Sequence, residues 1–386
     1  MLKPRIITAI AIVTVMLLLV ACGGGVQADM MPEESEPTPL VIQNLEPEPE
    51  SEPEPESPPE GYAVSLLTGL YILEEAADRR PIAVIFNNET RALPQSGLMQ
   101  ADIIYEVLTE GSITRVIAIF QDFDAEMIGP VRSTRSYFTY FALDHGAIMA
   151  HHGGSVSGYN AISSRGIPNI DGMRFDGTVF WRDAERRQSR GLEHSSYTSA
   201  KNLLNIAEEL GFDMTIRIDE ESGEQILGLF NFFEELTAPA SQNLADIVNV
   251  PFHSSNTTRF EYNPETNLYY KFVFGDPHMD AAIDSQITVT NVLIQITSMR
   301  VIDNEGRRDV TMVGSGHGYL ATHGTYSRVY WERVSASEPT RWYDENGEPL
   351  TLNRGRTWIS VISDEPTFEA RVIESQDENN GEYEND

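Results

Sequence analysis

One cysteine, Cys22, occurs in 386 residues. A disulfide within the chain is therefore excluded, and so is a thiol nucleophile in the globular body. Basic side chains are scarce: 27 Lys and Arg stand against 59 Asp and Glu, for a net charge of −32. A phosphate backbone needs a basic surface, so nucleic acid is not expected as a partner. There is no HExxH and no Cys–His set, so no metal site is expected. There is no GxSxG of a serine-hydrolase elbow. "GSGHG" at 314–318 lacks the following helix of a nucleotide loop and reads as a turn between strands, so no cofactor is expected either. No apolar run reaches the ~20 residues that a membrane span requires.

What is present starts with a leader. Lys3 and Arg5 precede an apolar run from Ile6 to Val20, which suits a signal peptide over 1–22. The run ends in Leu19-Val20-Ala21-Cys22, which resembles a bacterial lipobox and makes Cys22 the expected lipidation site. Residues 23–60 read as a disordered tether rich in Pro and Glu. Its stretch 27–60 holds 11 acidic side chains and no basic one. Proline and like-charge repulsion extend such a chain, and at ~3.1 Å per residue it could reach about 100 Å. Residues 364–386, with 9 acidic side chains and one Arg, read as an acidic disordered tail. The body between them is left near −15.

The body reads as α+β: a mixed-sheet first domain with packed helices over 61–245, then a mainly β domain over 250–363. "RPIAVIFNN" (80–88) is a buried strand. "ADIIYEVLTEGSITRVIAIFQDF" (101–123) is a hairpin around Glu110-Gly111-Ser112. "RSTRSYFTYFALDHG" (132–146), "SVSGYNAISSRG" (155–166) and "SSYTSAKNLLNIAEELGF" (195–212) have helical spacing or caps. "RFEYNPETNLYYKFVF" (259–274) is a second hairpin, and Trp331, Trp342 and Trp358 are expected in the core of the β domain.

These stretches also carry a resemblance. "RPIAVIFNNETRALPQSGLMQADIIYEVLTEGSITRVIAIFQD…IGPVRSTRSYF" and "NVLIQITSMRVIDNEGRRDVTMVGSGHGYLATHG…TRWYDENGEPLTLNRGRTWISVI" are similar to the two conserved regions of the YerB-like bacterial lipoproteins. The resemblance spans roughly 60–363. It implies an envelope protein on the extracytoplasmic face of the bacterial cell membrane, held there by lipid, and implies no reaction.

The candidate site begins at "GPVRSTRSYF" (129–138). Arg132 and Arg135 are three apart, so a helix starting near Val131 would put both on one face, with Ser133 and Ser136 as further donors and free N–H groups at the helix start. The alternative is that both arginines pair with Glu106 or Glu110 and fasten the domain. In "AHHGGS" (150–155) adjacent histidines on a strand point to opposite faces, so His152 can face a cleft while His151 packs. The polar stretch 180–199, with Arg182 and His194, reads as an exposed connection or as the far wall of that cleft. The leading reading is a non-enzymatic, lipid-anchored protein that binds a small anionic or polar ligand, or a cell-wall fragment. A hydrolase or transferase with His152 or His194 as general base and a protein-interaction adaptor are the alternatives.

Overall fold

The computed structural model describes residues 57–216, 229–239 and 243–364, and the backbone of 373–374. The leader with Cys22, nearly all of the expected tether and most of the acidic tail lie outside the described residues; within the tail, Ile373 and Glu374 pair antiparallel with Val248 and Ile247. Twelve strands carry the architecture: β1 Ile82–Asn87, β2 Ile103–Leu108, β3 Thr114–Phe120, β4 Ile148–His151, β5 Asn169–Asp171, β6 Ile247–His253, β7 Asn256–Asn263, β8 Leu268–Val273, β9 Asn291–Thr297, β10 Gly314–Thr322, β11 Thr325–Arg333 and β12 Thr357–Ser363. Four helices matter for the site: α1 Phe138–Asp144, α2 Val156–Ser164, α3 Ala184–Arg190 and α4 Ala200–Glu209.

The main sheet is mixed and runs β11-β10-β9-β12-β2-β3-β1-β4-β5. Strands from both sides of the expected boundary at 245–250 share it. The link is β12, which lies parallel to β9 on one side and to β2 on the other. Both faces are covered, so β1 is buried at every position, as sheets packed on both sides require. Alternation sorts its side chains. Ile82, Val84 and Phe86 face one core together with α4 and the second sheet, built on β6, β7 and β8. Ala83 and Ile85 face the other core with Phe138 and Phe141 of α1, Ile162 of α2 and Trp331. Trp331, Trp342 and Trp358 are all buried.

Three local expectations are corrected. "GSGHG" is not a turn but the opening of β10. Its glycines answer close approaches: a Cβ at Gly318 would lie 1.8 Å from the Ile294 carbonyl, and one at Gly316 2.7 Å from the Trp331 indole nitrogen. No helix starts near Val131, since α1 begins only at Phe138. Residues 131–134 run extended because their main-chain groups bond to distant strands: Val131 N–H to Ser196 O, Arg132 N–H to Ile85 O, and His152 N–H to Arg132 O. The expected loop at 180–199 contains α3, capped by the Asp183 carboxylate on Arg186 N–H.

Candidate functional site

A cleft of about 470 Å³ opens where the extended segment 131–133 meets the C-terminal end of β4 and the turn after α3. Arg132, Ser133, His152 and Arg182 line it, together with Gly153, Gly154, Tyr159, Met173, Leu192 and Glu193. Four of the residues expected from the sequence thus converge. The other three do not line it. Arg135 turns away and grips Glu110 through Nε at 2.7 Å and through Nη2, which is the pairing that the fastening alternative expects. The helix-start geometry that would have paired it with Arg132 is absent. The Ser136 carbonyl accepts bonds from Thr139 and Arg165. His194 is buried beneath the cleft wall, with Nδ1 3.0 Å from Asn87 Nδ2 and Nε2 3.7 Å from Glu89.

Arginines and carboxylates alternate below and along the cleft. Arg115, buried below, donates to the Ser133 carbonyl at 2.7 Å. Burial, then the nearby charge of Arg135, pushes its guanidinium down to about 9. Burial raises the Glu110 carboxyl, but Arg115 and Arg135 together hold it below the ordinary carboxylate range. Arg132 reaches the Glu193 carboxylate at 2.6 Å. Arg182 is divided among three acceptors: His152 Nε2 at 2.6 Å, the Leu192 carbonyl at 2.9 Å and Asp176 at 3.4 Å.

His152 is the histidine that lines the cleft. Guanidinium only donates, so the Arg182 contact makes Nε2 an acceptor and leaves the ring proton on Nδ1. That proton is donated to Ser196 Oγ, 2.8 Å away. Burial and then the Arg182 charge push His152 down to about 4. A histidine that donates to a serine cannot be that serine's base, and Ser196 is only 1% exposed. The Ser–His contact therefore has no open route to a substrate, and the free lone pair of Nε2 is already bonded. Both ring nitrogens of His152 are thus engaged, Nδ1 with Ser196 and Nε2 with Arg182. Gly172 is part of it: a Cβ there would lie 2.3 Å from His152 Nδ1, so only glycine lets the ring sit where it does.

The sequence reading missed Glu193, Tyr159, Met173 and Leu192. Leu192 and Glu193 were hidden inside a basic stretch. Tyr159 and Met173 come from α2 and from the short helix Gly172–Phe175, which the sheet brings beside β4.

Comparison with known proteins gives a consistent picture. Residues 67–213 match the N-terminal domain, and 248–359 the C-terminal domain, of a family described as "Protein of unknown function (DUF3048)". The chain is 33% identical over 302 residues to YerB of Bacillus subtilis (strain 168), which carries a provisional lipoprotein name; the match covers 77% of this chain and 86% of that protein. The crystal structure of the YerB protein from Bacillus subtilis superposes with a TM-score of 0.68 at 30% identity, covering 81% of this chain and all of that one.

Proposed function

Since the chain belongs to the YerB-like, DUF3048 family, whose role is unknown, we propose that it is an envelope protein held to the extracytoplasmic face of the membrane by lipid on Cys22, and that its cleft binds a small anionic or polar ligand or a cell-wall fragment. In this reading residues 1–22 are the signal, 23–60 the tether, 61–245 the ligand-binding region, 250–363 its β support and 364–386 a solvated tail. One observation carries the ligand: two guanidinium groups, Arg132 and Arg182, converge on one cleft in a strongly acidic chain. An anion needs such a local reversal of field to approach at all. Among the described residues no helix is long and apolar enough to cross a membrane, and a lone acyl chain holds only marginally whereas two or more hold firmly.

Two experiments test this. Inorganic phosphate titrated into the full chain should shift amide resonances around Arg132, Ser133 and Gly154, and Arg132→Gln/Arg182→Gln should abolish those shifts. Equal binding by the double variant would refute the cleft. Cys22→Ser should release the protein from membranes or block its maturation, and unchanged retention with normal cleavage would refute the anchor.

A further inference from the structure

The cleft already holds a carboxylate, that of Glu193. Its main chain is fixed on all sides. Gly191 N–H bonds to the Arg186 carbonyl, the Leu192 carbonyl accepts from Arg182 and from Ser195 Oγ, and the Glu193 carbonyl accepts from Asn87 Nδ2 at 3.2 Å. The Glu193 side chain is free by comparison: 63% of it is exposed, and among the described residues it is held by the 2.6 Å contact with Arg132. An ion pair this exposed contributes little, so the carboxylate can swing away by a rotamer change while the turn stays in place.

The cleft also carries apolar surface. Met173 is 68% exposed, and Leu192 and Tyr159, which line the cleft with it, are exposed as well. A bare inorganic anion would leave these three uncovered. A ligand with a carboxylate for Arg132 and an apolar group next to it would use both features. The internal occupant shows that combination in miniature: Leu192 lines the wall and Glu193, the next residue, supplies the carboxylate.

We infer that the cleft takes an acidic peptide segment, an apolar side chain followed by a carboxylate, and that Glu193 is an internal stand-in which the incoming carboxylate displaces from Arg132. This rests on the ligand-binding reading of the same cleft. The ligand's carboxylate would pair with Arg132, its apolar side chain would lie against Met173, Leu192 and Tyr159, and Arg182 would stay bonded to His152 and supply long-range charge. Removing the Glu193 charge lifts both the competition and the repulsion, so affinity for the peptide should rise.

The test uses the full chain and three probes: acetyl-leucyl-glutamyl amide, acetyl-leucyl-glutaminyl amide and inorganic phosphate, followed by amide shifts in NMR titrations. Glu193→Gln should bind the glutamyl peptide roughly three- to tenfold more tightly than wild type. The glutaminyl peptide should bind at least about fivefold more weakly than the glutamyl one to either protein. Met173→Ser should weaken the peptide and leave phosphate unchanged. If phosphate binds at the cleft but the glutamyl peptide binds no more tightly, or if Glu193→Gln leaves peptide affinity unchanged, the peptide assignment is overturned and the anion cleft stands. If neither phosphate nor peptide binds wild type or Glu193→Gln, both readings fall together.

Discussion

Lys271 Nζ lies 3.4 Å from Glu106 Oε2, and neither side chain is accessible to solvent. The pair joins β8 of the second sheet to β2 of the main one. Glu106 has further partners in Asn88 and Thr114, each 2.9 Å from Oε1. The ammonium group has fewer: it lies 4.4 Å from the centre of the Trp358 ring, and burial drives its pKa down despite the carboxylate. Two charges removed from water gain little net stability from each other, but stranding one of them is costly. Lys271→Met should therefore lose about 3–5 kcal/mol in urea unfolding. Lys271→Met/Glu106→Gln should recover most of that loss. A double variant as unstable as the single one would mean that Lys271 matters through packing against Trp358 instead.

The two arginines that open the candidate site should separate in the laboratory. Arg135 is a largely buried partner of Glu110, which it shares with Arg115. Among the described residues, the Arg132 side chain pairs with an exposed carboxylate, that of Glu193. Arg135→Gln should cost about 2–3 kcal/mol by uncovering a partly buried carboxylate. Arg132→Gln should change stability by less than about 1 kcal/mol while removing phosphate binding. Thermal melts and titrations on the two single variants check this, and the reverse pattern would reassign the roles.

The difference between these arginines shows what was legible in the sequence. Local signals were: β1 from its apolar run, the β2–β3 hairpin from its Glu-Gly-Ser turn, α4 from Ser199 and Gly211. Partners distant in the chain were not. Nothing near Thr357–Ser363 announces a strand that enters between β9 and β2, because pairing there depends on residues some 60 and 250 positions away. The same holds at the site. Spacing suggested a helix through Arg132 and Arg135, but backbone groups of 131–134 found acceptors and donors on β1, the 152–153 turn after β4 and the 196 segment, and an extended path satisfied them. Arg132, Ser133, His152 and Arg182 still converged because residue type, rather than local geometry, identified them.

His152 supplies a pH prediction. Its pKa in the folded chain is pushed down to about 4, first by burial and then by Arg182, with Asp176 and Asp171 opposing. An unfolded histidine titrates near 6.5. Between those values the unfolded chain binds a proton that the native chain refuses, so His152 lowers stability as pH falls from about 6.5 to about 4, and adds nothing further below that. Asp102 acts in the opposite sense, since burial raises its carboxyl to about 7 and the native chain then holds the extra proton. The His152 contribution is therefore read by difference, as the pH dependence of unfolding in wild type against His152→Asn. In NMR the His152 ring should stay neutral down to pH 5, and a midpoint above 6 would contradict the Arg182 contact.

Gly172 touches no ligand in either reading, yet it sets the position of His152. A Cβ there would meet three atoms of the His152 ring, at 2.3, 2.6 and 2.9 Å. The ring cannot give way easily, because Ser196 Oγ holds Nδ1, Arg182 holds Nε2 and Phe180 lies edge-on with centroids 5.8 Å apart. Gly172→Ala should therefore displace the imidazole and take from Arg182 the shortest of its three contacts, leaving the Leu192 carbonyl and Asp176. The guanidinium would then sample several positions, and an anion would have to order it again on binding. Phosphate affinity should fall several-fold, and the His152 pKa should rise towards its ordinary value as Arg182 moves off. A variant that lost affinity while His152 kept its depressed pKa would show that the alanine acts by general disturbance of the 171–175 segment rather than through the ring.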